Sequence, residues 1–441
     1  MKILAIDVGS SSIKAAFCKN GRIKHIEHVP ISTSLKGREV EIPAAGLLKS
    51  FRKAVRHITA SHGHIDAIAM DSFCPGVVAL DKHRAVLFGC VTHQDRRSMK
   101  QAEEIEQDIG AQRHLQLTGN RPFPGGIAST TLLWFKQNKP AEFKRIACVG
   151  QPTTLLLDHL TGQWVIDPSQ AAFLGLYDSI KLSGWIPELC QRIGLTESQL
   201  PKLLFADQIA GKVTRAAAEQ LGLSEGCPVF ASMVDTSAAM LSTDCRPGRM
   251  VHSAGSTDVL ALCLDKPAPA GDILTRPLGT GHRLAKRWLA VSTIAAGGST
   301  MHWLKDNLFA DYSSKKFHKL TAHIGRQLQD QKPGGKADME VAFAPYLAGD
   351  RTAMEERTGC FDHLTLANTR EDMLRAAVLA LAQASRQRFD RLSQIREVHS
   401  EIFTMGGQTQ LADIMHDQWP GKHTFTPLEN EAMTGLNRLA M

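Results

Sequence analysis

The stretch "ILAIDVGSSSIKAAF", residues 3–17, decides how the rest of the chain is read. Two apolar runs flank a turn of small residues, Gly9-Ser10-Ser11-Ser12. Alternation at a period of two predicts strands over 2–8 and 13–18, joined as a hairpin. The turn has nothing large enough to fill a core, and Asp7 carries a carboxylate towards it. Glycine-rich turns that leave strands expose backbone N–H groups, and such groups cradle phosphates. "GRIKHIEHVP" (21–30) is a candidate third strand.

The pattern recurs close to half the chain later. "MVHSAGSTDVLALCL" (250–264) again has an apolar strand, a turn (Gly255-Ser256-Thr257) and a second apolar strand, which reads as a duplication. Two more strand–glycine–helix turns follow, at Gly297-Gly298 and at Gly406-Gly407. None of the four turns matches GxxxxGK[ST] or GxGxxG, so a P-loop and a Rossmann dinucleotide site are both disfavoured. Two opposed hairpins, one per half, suggest instead a nucleotide polyphosphate gripped between two domains. Asp7 would hold Mg²⁺ through water. Lys14 either faces the phosphates as a point charge or lies on the strand surface.

Between these landmarks the chain mixes helices and strands. Helices are expected over 44–60, ending at Gly110, broken at Pro140, and over 370–392. Strands are expected over 64–73 and on either side of Lys82-His83. This order indicates an α/β fold. A chain of 441 residues suggests two domains, here 1–243 and 244–441, joined at the turn-rich stretch 244–248.

Composition narrows the function classes. The chain is 43% hydrophobic and 22% charged, with a net charge of +7. Its basic residues read as scattered, with short clusters at Arg96-Arg97 and Lys315-Lys316. A nucleic-acid binder should concentrate them on one element, so no nucleic-acid partner is expected. The nine cysteines are odd in number and contain no CxxC pair, which argues for reduced thiols in a cytoplasm. No apolar run approaches a membrane span, and Asp7 interrupts any signal-like segment. The protein is expected to be cytoplasmic, without a membrane partner; a homodimer is compatible with the sequence.

In "PVFASMVDTSAAML" (228–241) an apolar strand delivers Asp235 to a helix start. A carboxylate there is either an N-cap or a working group. If the chemistry is phosphoryl transfer, a base must take a hydroxyl proton, and Asp235 suits that role.

Taken together, these segments resemble the FGGY family of carbohydrate kinases, nearly end to end. "AIDVGSSSIKAAF" is similar to the family's first phosphate motif. "VTHQDRRS" resembles its W-x-D-x-R segment, with His93 for Trp and with Asp95 and Arg97 retained. "TGNRPFPGGIASTTLLWFKQNKP" resembles the first family signature around Trp134. "VIDPSQAAF", the segment leading to Asp235, "SAGSTDVLAL", "APYLAGDRTA" and "FTMGGQTQ" follow in family order. The resemblance implies two duplicated ribonuclease-H-like domains of the actin/hexokinase type with an interdomain cleft. It implies transfer of the ATP γ-phosphate, with Mg²⁺, to a hydroxyl of a small-molecule sugar or polyol, a ketose first. Asp235 matches the catalytic base. Gly255, Ser256 and Thr257 match the second phosphate loop, and Gly297, Gly298, Gly406, Gly407 and Gln408 match positions around the nucleotide.

The chain departs from the family pattern at Thr131 (usually Lys), at His363 (usually Gly) and at Gln408 in the adenosine motif. The substrate loop is Asp71-Ser72-Phe73-Cys74-Pro75-Gly76, where xylulokinases usually have S-G-Q-M-H-G. Pro75 supplies no imidazole, which disfavours D-xylulose. Asp71 and Asp95 are candidates for holding vicinal hydroxyls, with Ser72, Cys74 and His93 beside them. Phe73 either stacks on substrate or packs the loop. Two rivals within the fold are a sugar-independent, chaperone-like ATPase and a catalytically impaired sensor. The segments 118–138 and 228–241 argue against the ATPase.

Overall fold

The computed structural model describes residues 1–271, 273–281, 284, 286–330, 341–350 and 352–441. These form two compact units. Unit one is Met1–Arg246 with Cys263–Ala290 and Glu429–Met441; unit two is Pro247–Leu262 with Val291–Leu428. The first crossing, at Arg246/Pro247, lies close to the boundary expected after residue 243. The later returns of the chain to unit one have no counterpart in that two-segment division.

In unit one, β1 (Lys2–Val8), β2 (Ser12–Lys19) and β3 (Arg22–Pro30) form an antiparallel meander. On its other side β1 runs parallel to the strand Ala67–Ser72, and the sheet continues through Pro228–Phe230 to Ile209–Lys212. The meander confirms the hairpin and the third strand. Both faces of β1 are covered, which explains why its apolar run is nearly continuous. Leu4, Ile6 and Val8 join a core with Phe51, Val55 and Ile58 of helix α1 (Ala44–His62). Ile3 and Ala5 join a second core with Met233, Met433 and Leu436.

Met433 and Leu436 belong to the last helix, Glu431–Leu439. It crosses the helix Asp235–Leu241 so closely that a Cβ on Gly435 would run into the carbonyl oxygen of Ala238. The strand expected over 85–91 is shorter than its apolar run. Residues 85–89 make a single bridge, Leu80 to Val86, and the strand begins only at Cys90–Thr92. The Asp81 carboxylate shapes that turn by accepting the N–H groups of His83 and Ala85.

Unit two repeats the hairpin. The strand Met250–Ala254 pairs antiparallel with Asp258–Leu264 and parallel with Glu401–Met405. Glu401–Met405 in turn pairs with Thr424–Pro427. Each hairpin therefore has a parallel neighbour beside its first strand, which is the topology a duplication predicts. The helix Arg370–Ile395 packs Leu374, Val378 and Leu381 into this unit's core. Thr369 and Asp372 cap its start reciprocally. All nine cysteines are free. Among the described residues no helix is long and apolar enough to cross a membrane.

Candidate active site

Strand register collects three carboxylates from distant parts of the sequence. Asp7 on β1 stands opposite Lys14 on β2 and opposite Asp71 on the parallel strand Ala67–Ser72. Met233 pairs with Asp71 and Val234 with Ser72. The next residue, Asp235, opens its helix just beyond the same strand ends. The carboxyl ends of neighbouring parallel strands are where α/β sheets bind ligands.

The three acids differ in their surroundings. Lys14 Nζ donates to Asp7 Oδ2 at 3.0 Å. Burial alone would depress the Lys14 ammonium, but Asp7, Glu431 and Asp71 outweigh it and hold its pKa above the usual value. Asp71 is completely buried, and neither of its oxygens meets an N–H or hydroxyl donor. What faces it is the Asp7 carboxylate, close enough to share a proton. Burial, then Asp7 and Asp235, push Asp71 well above the usual carboxylate range. Burial and Asp7 also raise Asp235, opposed by the Thr236 N–H and by Arg276. Thr236 donates its N–H to Asp235 Oδ1 at 2.6 Å.

Two neighbours of this cluster were not singled out from the sequence. Arg276, on the strand Leu274–Pro277, is buried over the Phe173 ring and donates to the Thr236 hydroxyl. Burial lowers its pKa to about 10. Glu431, in the final helix, is raised by burial, and Lys14, Asp7 and Asp235 all act on its charge. Neither residue has a local signal, because both reach the cluster through tertiary packing. Asp167, assigned to the family's VIDPSQAAF segment, caps the short helix Pro168–Ala171 by accepting the N–H groups of Ser169 and Gln170.

The substrate candidates divide. Ser72, Phe73 and Cys74 follow Asp71 and are all buried, and Phe73 packs edge-on against the His93 ring at 5.8 Å. Loop packing thus accounts for Phe73 without a substrate to stack on. Asp95 departs from its expected role. Its oxygens accept the Val40 N–H at 2.7 Å, the Arg97 N–H at 3.0 Å and both arms of the Arg97 guanidinium. Arg97 also bonds Glu41 at 2.7 Å and lies over the Trp134 ring. With these donors filling its acceptor positions, Asp95 has none to spare for a hydroxyl.

The glycine turns also sort by unit. The Gly9 N–H donates to the Ser12 carbonyl at 2.9 Å and leaves Ser11 exposed between Ser10 and Ser12. The other three turns converge in unit two. Gly298 and Ser299 donate their N–H groups to the carbonyls of Gly255 and Ser256, and Gln408 donates to that of Ala254. Gly406 sits at φ +98°, where a Cβ would strike the Ala254 carbonyl. A Cβ on Gly297 would lie 2.8 Å from that of Asp258, directly after Thr257. Asp258 is buried and bonded to His252 Nε2 at 2.8 Å and to Arg388. Burial alone would raise its pKa, but the bonds to His252 and to the Arg388 guanidinium hold it far below the usual range. Beside the turns lies a cavity of about 540 Å³ lined by Met301, His302, Phe317, His318 and Gln408, among others.

Among the described residues no three His, Cys, Asp or Glu side chains close on one point as a cage made of protein alone. Mg²⁺ does not require one, since it binds through one or two carboxylates together with water and substrate phosphates. The Asp7 carboxylate, mostly buried but 12% exposed at its side chain beside Lys14, is the group in this cluster that fits that demand.

Two family models match the chain. The N-terminal domain of the FGGY family of carbohydrate kinases matches residues 2–242, and its C-terminal domain matches residues 250–416. A xylulose kinase of Staphylococcus xylosus is 22% identical over 428 residues, 95% of this chain and 84% of that protein. A gluconokinase of Bacillus subtilis is 25% identical over 390 residues, 85% of this chain and 74% of that protein. The crystal structure of a xylulose kinase from Rhodospirillum rubrum superposes with a TM-score of 0.86 at 22% identity, covering 100% of this chain and 89% of that one.

Proposed function

Because the chain belongs to the FGGY family of carbohydrate kinases, we propose that it moves the γ-phosphate of ATP to a hydroxyl of a sugar or polyol, a ketose first, with Asp235 as the base. The observation that carries this reading is the meeting of Asp7, Asp71 and Asp235 at adjoining strand ends. A base works best with its pKa near the working pH, and the upward shift of Asp235 moves it in that direction. Asp235 accepts the proton of the attacking hydroxyl. Thr236 and Arg276 orient its carboxylate from behind. Asp71, holding its own proton, donates to Asp7 and limits the negative charge that the incoming phosphate meets. Lys14 adds a point charge for that phosphate. Mg²⁺, when bound at Asp7, neutralises charge on the phosphate oxygens.

The nucleotide belongs to unit two. Gly255, Ser256 and Thr257, with the N-terminus of the helix Gly298–Asn307, suit phosphate oxygens. The adjoining cavity at His302, His318 and Gln408 suits the nucleoside. Pro75 leaves the loop without an imidazole, so Asp71, Ser72 and Asp235 are the groups offered to hydroxyls.

ADP release measured over a panel of ketoses, polyols and aldonates tests the reading; the aldonates are included because one relative is named a gluconokinase. We expect sugar-dependent turnover that falls about 10²–10⁴-fold in Asp235→Asn, the usual worth of a general base. ADP binding in the variant should stay unchanged. Equal ADP release from both proteins overturns Asp235 as the base.

A further inference from the structure

Away from these groups, helix α1 turns an unusual face to solvent. Its buried side is apolar, with Leu47, Phe51, Ala54, Val55 and Ile58. On its outer side Lys49, Arg52, Lys53 and Arg56 fall three, four and seven residues apart, which stacks them on one face. With His57 and Gln220 they line a surface cavity of about 430 Å³. Like charges at these spacings repel, each pair costing roughly 0.2–0.5 kcal/mol. Several other surface arginines are paired with acids, as in Arg113–Glu188, Arg192–Asp108 and Arg370–Asp311. Here none of the four cations is paired with a carboxylate among the described residues. Glu27 is bonded to the lining residue His57 at 3.4 Å and shared with His25 at 2.9 Å.

We propose that this cavity is a binding site for a small, multiply charged phosphate anion. The four cations form a concave, uncompensated field, which concentrates anions from solution. Arginine adds planar forks that match phosphate oxygens, and lysine adds mobile point charges. The shape limits the ligand. Lys49 to Arg56 span only about 10 Å of helix, at 1.5 Å per residue. That accommodates two or three phosphates but no extended strand. No Phe, Tyr or Trp lines the cavity, and His57 is its one ring, so the contacts on offer are mostly those of charge rather than of base stacking. The ligand that fits is a condensed or multiply substituted phosphate, held by its anionic oxygens. None of the six lining residues belongs to the candidate active site.

Calorimetric titration of the full chain with tripolyphosphate, in excess Mg·ADP to fill the nucleotide site, tests the proposal. One site is expected, at least 10-fold weaker in Arg52→Ala/Arg56→Ala, abolished in Lys53→Glu/Arg56→Glu, and weakened by added salt. The variants change exposed or half-exposed side chains, so their thermal midpoints should match the wild type, and so should turnover without tripolyphosphate. Orthophosphate should bind more weakly than tripolyphosphate at the same residues. Absent binding, equal binding in the variants, or binding that ADP alone displaces each overturns the site. A 20-nucleotide single strand that binds more tightly than tripolyphosphate, and loses affinity in the same variants, overturns it in favour of a nucleic-acid surface. If ADP itself does not bind, the proposed kinase reading fails, yet the variant comparison still decides this one.

Discussion

Asp95 and Asp235 look alike in the sequence, each an acid in a segment shared with a kinase family. The structure separates them by their hydrogen-bond partners. Asp95 is saturated by backbone N–H groups and by Arg97, whose side chain is itself buried. Removing one partner of a buried pair leaves an uncompensated charge and costs about 3–5 kcal/mol. Asp95→Ala should therefore lower the denaturation midpoint while leaving the KM for sugar unchanged. A raised KM with the midpoint intact would return Asp95 to the substrate. Asp167 permits a test by pH. Burial raises its pKa to about 7 against the N–H groups that it accepts. An acid whose folded pKa is raised keeps its proton longer in the folded chain than in the unfolded one. Stability is thus lost as pH rises from about 4 to 7, and the loss is complete above 7. Asp167→Asn keeps one of the two cap bonds, a pH-independent loss, and removes the titration. Its Tm relative to wild type should climb between pH 5 and 7.5, by roughly 2–4 °C for each kcal/mol recovered. A pH-independent difference would place the Asp167 pKa in the ordinary range. What made Asp7 and Asp235 legible was local: each ends an apolar run beside small residues. Arg276 and Glu431 carry no such mark, since only the folded sheet and the last helix bring them near.

At the scale of elements, hairpins were the easiest features to read. The strands Lys2–Val8 and Met250–Ala254 announce themselves by an apolar run that meets a Gly-Ser turn. The expected helices at 44–60 and 370–392 lengthen only slightly, to Ala44–His62 and Arg370–Ile395. The strand expected at 85–91 forms only at its end, in Cys90–Thr92, because the apolar residues before it serve loop packing around the Asp81 turn rather than a ladder. The basic face of α1 was missed. Its four cations lie within residues 49–56, interleaved with the apolar residues of the buried side, and they share one face only when wound at 3.6 residues per turn. The crossing of the last helix over Asp235–Leu241 gives a test of its own. Gly435→Val drives a side chain into the Ala238 carbonyl. Overpacking of this kind costs about 1–3 kcal/mol. We expect a lower urea midpoint together with lower kcat, since the strained partner helix begins at Asp235. An unchanged midpoint would mean that the crossing yields without cost.

For the molecule as a whole, the duplication is topological, while the chemistry is not shared. Where β1 places Asp7, two residues before its turn glycine, the second hairpin has Ser253; where the parallel neighbour places Asp71, the second sheet has Met405. Acid gathers in unit one, and glycine turns and a cavity gather in unit two. The sequence shows the repeat through its turns, but the division of labour emerges only from register. Its two-segment division also reads the chain as passing between domains once. The end of the chain instead returns to unit one, where Met433 and Leu436 pack against Ile3, Ala5 and Met233.

That return has a consequence for synthesis. A ribosome adds residues at about 5–20 per second, so the sheet that begins at Lys2 waits on the order of ten to forty seconds between emergence of its own segments and of residues 429–441. Until then the apolar faces of Ile3, Ala16, Met233 and Ala238 lack their covering helix. The nascent chain thus carries a docking groove with only one intended occupant, still unmade. This interval is when a chaperone has something to hold, and when two chains on neighbouring ribosomes have a chance to exchange their last helices.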